Sequence, residues 1–218
     1  MNSRLNNQIQ ALSSALKNDK NIFGMCLVGS SLSNKEYCDI DLLVVGENKD
    51  KIIKNIIKKF STYKAYLNDD SVRIDGYLEK EVGIAVYEYK DLLENLNKYM
   101  NGIDINPIYK NWNIVGWLPE CLLYDLNNMI IVYEKENKIT EIKNRVSIYP
   151  KKLKISIINN CDDKLNNLSK RIGKAEEIEQ QIIDAEIKAL NIRKYFAEKE
   201  MYFKGFKNID KQLEELRD

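Results

Sequence analysis

The chain has 218 residues, 44% of them hydrophobic and 31% charged, and its 34 Lys and Arg stand against 33 Asp and Glu for a net charge of +1. This is the composition of a globular protein with a substantial core, and the even charge balance gives no global pull toward nucleic acid or anionic membrane, leaving only local basic patches. Histidine is absent, which excludes Ser-His-Asp and Cys-His nucleophiles and His-ligated zinc, so any chemistry runs on carboxylates, hydroxyls, thiols, amines or a hard metal ion held by oxygen.

Leu5, Ile9, Leu12 and Leu16 recur at helical spacing and predict an opening amphipathic helix. The apolar run Ile22–Val28, stopped by Gly29-Ser30, predicts a buried strand, and Cys38–Gly46 predicts a second one after a polar loop. Ile52, Ile53, Ile56 and Ile57 mark one face of a lysine-rich helix, whose lysines read as a solvated face rather than a nucleic-acid patch. Strands are predicted at Ser71–Leu78 and Val82–Tyr89, followed by a helix over KDLLENLNKYM.

The texture changes near residue 100. Gly102–Pro119 holds two of the three prolines and both tryptophans, Trp112 and Trp117, which read as packing at the junction. Helical patterns follow at Ile139–Ile148, Lys151–Ile158 and in one long stretch, Asp162–Tyr202. The expectation is an α/β (α+β) fold of two domains, a mixed-sheet domain over 1–100 and a helical domain over 101–218. The cysteines Cys26, Cys38, Cys121 and Cys161 form no CxxC and read as reduced thiols of a cytoplasmic protein. No stretch of apolar residues is long enough to predict a membrane span, and the opening residues carry no signal-peptide pattern.

The chemistry concentrates in Gly29-Ser30 and Asp39-Ile40-Asp41. Alternation along a strand turns Asp39 and Asp41 to one face and Ile40 to the other. Two carboxylates so close repel unless a cation lies between them, and Mg²⁺ takes one or two carboxylates together with phosphate oxygens. Gly29 lets backbone amides approach a phosphate, and Ser30 adds a hydroxyl donor. Lys35, in the loop between, could touch a triphosphate, although a surface lysine is its default reading.

The run Val28-Gly29-Ser30, eight intervening residues, then Asp39-Ile40-Asp41-Leu42 resembles the signature of the nucleotidyltransferase superfamily with a polymerase-β-like palm. The resemblance covers roughly residues 20–95, and the later half looks more loosely like the helical domain of bacterial antibiotic-type nucleotidyltransferases. It implies transfer of a nucleoside monophosphate from an NTP to a hydroxyl of a small-molecule acceptor, with pyrophosphate leaving. Two Mg²⁺ ions would clamp the attacking and leaving oxygens during in-line displacement; Asp39 and Asp41 would hold them, and Gly29 and Ser30 would cradle the phosphates. The family also expects a third acid on a neighbouring strand. The strand VGIAVYEY carries none at Ile84 or Ala85, so Asp75 in SVRIDGYL is the expected third catalytic and metal-binding carboxylate, with Glu88 as fallback. A homodimer is possible, and because the chain is short, lacks a basic cleft signature and has no apolar span, no nucleic-acid or membrane partner is expected. Two alternatives stand beside it: an antitoxin-type enzyme that adenylylates a protein, and a degenerate member that binds nucleotide as a regulatory module.

Overall fold

The computed structural model describes residues 3–32, 39–68, 71–107, 118–173, 176–205 and 209. Lys35, Trp112 and Trp117 lie outside them, as does Cys38, and the second strand is described from Asp39. The protein is a mixed α/β fold. In chain order its elements are α1 (Ser3–Leu16), β1 (Ile22–Val28), a 3₁₀ turn (Gly29–Leu32), β2 (Asp39–Gly46), α2 (Lys49–Lys59), β3 (Lys64–Asn68), β4 (Ser71–Asp75), β5 (Glu81–Glu88), α3 (Tyr89–Met100), α4 (Pro119–Asn128), β6 (Ile130–Glu134), α5 (Lys138–Val146), α6 (Lys151–Ser169) and α7 (Glu177–Glu198).

The chain divides into two compact units, Met1–Asn95 with Asp125–Ser147, and Leu96–Tyr124 with Ile148–Asp218. The first unit holds a six-stranded sheet in the order β3-β4-β5-β2-β1-β6. β2 runs antiparallel to β1 and parallel to β5, while β4 pairs antiparallel with β5. One sheet face presents Met25, Leu27, Ile40, Leu42, Val44, Val72, Ile74, Val82, Ile84 and Val86, all buried with Leu5, Ile9, Leu12 and Leu16 of α1 and Ile52, Ile56 and Phe60 of α2. The alternate residues of the same strands form the other face, and this division makes β2 amphipathic: Ile40 enters the core while Asp39 and Asp41 remain half-buried on the opposite side. Burying the apolar set stabilises the unit by about 1.5–3 kcal/mol per large side chain, so the register of β2 is strongly specified.

α2 starts at Asn48, whose side chain accepts the Lys51 N–H at 3.1 Å. Glu88, at the far end of β5, accepts the Lys49 N–H at 3.2 Å and so supplies negative charge to the N-terminus of the same helix.

The second unit is helical. α6 and α7 form an antiparallel hairpin held by Lys194–Asp162 at 2.6 Å and Arg171–Glu179 at 2.6 Å. The long helical stretch expected over Asp162–Tyr202 is therefore two helices. Gly173, at φ +74°, stands in the turn between them, and Ile172 and Ile178, which continue the apolar spacing across the break, are exposed. The unit's core contains Leu118, Cys121, Ile192, Phe196 and Phe203. Arg193, only 4% exposed, donates to both oxygens of buried Glu120 and to the Ile105 carbonyl. Every charge in that pair is matched, which a buried ion pair requires. Among the described residues no helix is long and apolar enough to cross a membrane.

Candidate active site

The candidate site forms where β1 ends and β2 begins. Register places Val28, Asp41, Gly83 and Arg73 in one row across β1, β2, β5 and β4, all on the face away from α1 and α2. Asp39 and Glu81 form the adjacent row on the same face. The Cα atoms of Asp39 and Asp41 are thus ~6.6 Å apart along β2, one full pleat repeat.

Asp41 lies in a slot between two glycines. Gly29 turns the chain out of β1 at φ +70°, a conformation that costs an L-residue about 1–2 kcal/mol. A Cβ on Gly29 would stand 2.7 Å from Asp41 Oδ2. On the other side, a Cβ on Gly83 would stand 2.9 Å from Asp41 Oδ1 and 2.7 Å from Arg73 Nη1. The carboxylate fits because both neighbouring backbones are bare, and any larger residue at either position collides with one of its oxygens.

A further acid joins this row from α4. Asp125 accepts the backbone N–H of Gly29, and the nearby charge of Asp41 acts on it. Burial first, and Asp41 second, push the Asp125 carboxyl up to about 7, against the opposing pull of the Gly29 hydrogen bond. Gly29 therefore serves both carboxylates, giving space to one and a donor to the other. Asp125 is absent from the sequence-based set of candidates. The signal available for it is a lone acid inside the apolar helical run CLLYDL, where Cys121, Leu122, Leu123 and Leu126 are all buried.

The remaining sequence candidates are placed as follows. Ser30 follows Gly29 in the 3₁₀ turn, and its side chain is outside the described residues. Asp75 shares a sheet face with Arg73 but lies on β4, with β5 between it and β2, about 10 Å across two strand spacings. Its carboxylate meets Lys64 at 3.4 Å. Glu88 is at the opposite end of β5 from Glu81, pairing with Gly46 rather than Asp39.

Among the described residues no three His, Cys, Asp or Glu side chains are grouped to hold a metal ion by themselves. The grouping of Asp41 with Asp125, and of Asp39 one pleat away, instead matches the one or two carboxylates that Mg²⁺ takes when phosphate oxygens and waters complete its shell. Two acids forced together at one glycine also have the electrostatic conflict that a hard cation relieves.

No family model matches the chain, and no curated protein matches it. Among solved structures it is similar to a nucleotidyltransferase-like protein from Exiguobacterium sibiricum 255-15, with a TM-score of 0.44 and 13% identity, covering 89% of this chain and 58% of that one. It is also similar to a CCA-adding enzyme whose structure was solved in complex with ATP, with a TM-score of 0.37 and 13% identity, covering 87% of this chain and 44% of that one. The chain thus spans little more than half the length of the first structure and less than half of the second.

Proposed function

We propose that this protein transfers a nucleoside monophosphate from an NTP to a hydroxyl of a small molecule, releasing pyrophosphate. The observation that carries this reading is the slot at Gly29, where the Asp41 and Asp125 carboxylates converge beside Asp39. The reading places Mg²⁺ on Asp39 and Asp41, where it would neutralise charge on the phosphates during in-line displacement. Asp125 then receives the acceptor's hydroxyl proton. A base works best when its pKa is near the working pH, and burial of the Asp125 carboxyl raises its pKa toward that range. The Gly29 N–H orients the Asp125 carboxylate for this step.

Asp125 thereby takes the part expected of Asp75. With its carboxylate committed to Lys64, Asp75→Asn is expected to lose only a surface ion pair, worth at most about 1 kcal/mol. Transfer rates within about twofold of wild type are the expected result, on the same energetic scale. A hundredfold loss in steady-state pyrophosphate release would return Asp75 to the site.

The test of the reading itself is thermal unfolding with each of the four NTPs, with and without Mg²⁺. At 100 times its Kd, a bound nucleotide adds about 2.7 kcal/mol, a plain rise in midpoint. One or more NTPs raising the midpoint only with Mg²⁺ is the expected result, and no rise with any NTP would refute the reading. A second reading, nucleotide binding without turnover, is favoured by one feature: beside Asp41, β5 presents Gly83 in place of an acid. A Mg²⁺-dependent rise with no pyrophosphate released across a panel of hydroxylated acceptors would select it.

A further inference from the structure

Arg73 occupies the place beside Asp41 that Gly83 leaves empty. Arg73 starts on β4, two strands from β2, yet its Nη1 and Asp41 Oδ1 both lie within 3 Å of the point where a Gly83 Cβ would stand, at 2.7 and 2.9 Å. Nη1 also binds Glu81 Oε1 at 3.0 Å. The guanidinium therefore lies over the bare backbone of β5, paired with Glu81 and close to Asp41. Its side chain is 18% exposed, so its field reaches Asp41 with less screening than a surface cation's. An arginine at such a place stays charged at every working pH, which a lysine or a water does not guarantee.

From this placement we infer that Arg73 is a built-in cation for Asp41, and that the site binds a single divalent ion with the guanidinium in place of a second. The inference rests on the proposed nucleotidyl transfer. On the β5 side of Asp41 the row holds Gly83 and no acid, Glu81 in the adjacent row is already paired with Arg73, and a fixed positive charge opposes entry of a second divalent ion. The same charge competes with the one divalent ion that does bind, because both draw on Asp41. Arg73 is thus a positioning residue: it holds the carboxylate in its slot while the site is empty and sets how tightly metal is taken up.

Counting Mn²⁺ by its electron-spin signal, with a saturating non-hydrolysable analogue of the NTP that stabilises the protein, tests the stoichiometry on the wild-type chain. One Mn²⁺ per bound analogue is expected, and two would overturn the inference while leaving the transferase reading intact. Titration with Mn²⁺ alone then compares wild type, Arg73→Gln and Arg73→Lys. Loss of the competing charge should tighten Mn²⁺ binding by about tenfold in Arg73→Gln, as expected for removing a unit charge a few ångströms away in a partly screened site, and leave Arg73→Lys within about twofold of wild type. Equal Mn²⁺ affinity in wild type and Arg73→Gln would overturn the inference. If Arg73→Gln does not fold, the wild-type count and the Arg73→Lys affinity still decide, a tenfold change in the lysine variant counting against charge as the cause. Failure of the wild type to bind Mn²⁺ with any analogue would overturn the transferase reading, and the inference with it.

Discussion

Asp41→Asn is expected to lower nucleotidyl transfer by about 10³-fold or more, the scale of losing a group that stabilises charge in the transition state. The substitution is nearly isosteric, and the space around Asp41 is defined by absent side chains at Gly29 and Gly83, so the amide fits the same slot. What is lost is one negative charge in the row where metal and phosphate would meet. The variant should unfold in the absence of ligand at or slightly above the wild-type midpoint, because Arg73 retains Glu81, Asp125 retains the Gly29 N–H, and the charge that pushes on Asp125 is gone. It should also lose the Mg²⁺-dependent rise in midpoint with NTP. Single-turnover pyrophosphate release, measured beside unfolding, separates the two effects. A variant that keeps more than a tenth of the rate would remove Asp41 from the chemistry.

The parts of this site that were legible in sequence are those set by neighbours along the chain. Gly29, Asp39 and Asp41 are read from two adjacent segments, since strand alternation alone puts both acids on one face and Ile40 on the other. β1 is read to the residue, Ile22–Val28, because a buried strand bounded by a glycine turn has few other readings. Alternation also placed Arg73 and Asp75 on a common face. It says nothing about strand order, however, and the order decides their roles. β5 enters between β4 and β2, which moves Asp75 away from Asp41 and gives the long side chain of Arg73 a bare glycine to cross.

The elements missed are those with weak local patterns. β3 is an edge strand with four of its five residues exposed, so KAYLN shows no apolar alternation. β6 comes from beyond the change in texture near residue 100, and joins the sheet next to β1 through a tertiary pairing that no local signal announces. With it comes the end of α4 that carries Asp125. The apolar spacing through Leu168, Ile172 and Ile178 is helical on both sides of Gly173, which is why two helices read as one. A glycine at positive φ ends a helix irrespective of the periodicity around it.

Asp125→Asn is expected to stabilise the ligand-free protein while disabling it. The sign follows from proton linkage. Burial and Asp41 push the Asp125 carboxyl up to about 7 in the folded protein from an ordinary 3.8, so between those values the native state binds more protons than the unfolded state. Stability attributable to this group therefore falls as pH rises from about 4 to 7, and is flat above and below. An uncharged amide that keeps the acceptor oxygen for the Gly29 N–H escapes that loss. The full displacement corresponds to about 4 kcal/mol at 1.36 kcal/mol per unit, and with relaxation and solvent access about half of it, roughly 2 kcal/mol, is the expected gain at pH 8. At pH 4 the variant and wild type should unfold alike, since Asp125 is then protonated in the folded protein. Urea unfolding at pH 4, 6 and 8, without divalent ions, measures the slope directly. A variant that is no more stable than wild type at pH 8 would show that neither burial nor Asp41 strains the Asp125 carboxylate. The same amide cannot accept the acceptor's proton, and loss of a general base costs about 10²–10⁴-fold in rate. A variant that is more stable and yet fully active would leave Asp125 a strained acid without a part in transfer. Gain in stability together with loss of transfer is the signature of a residue kept for its chemistry at the expense of the fold.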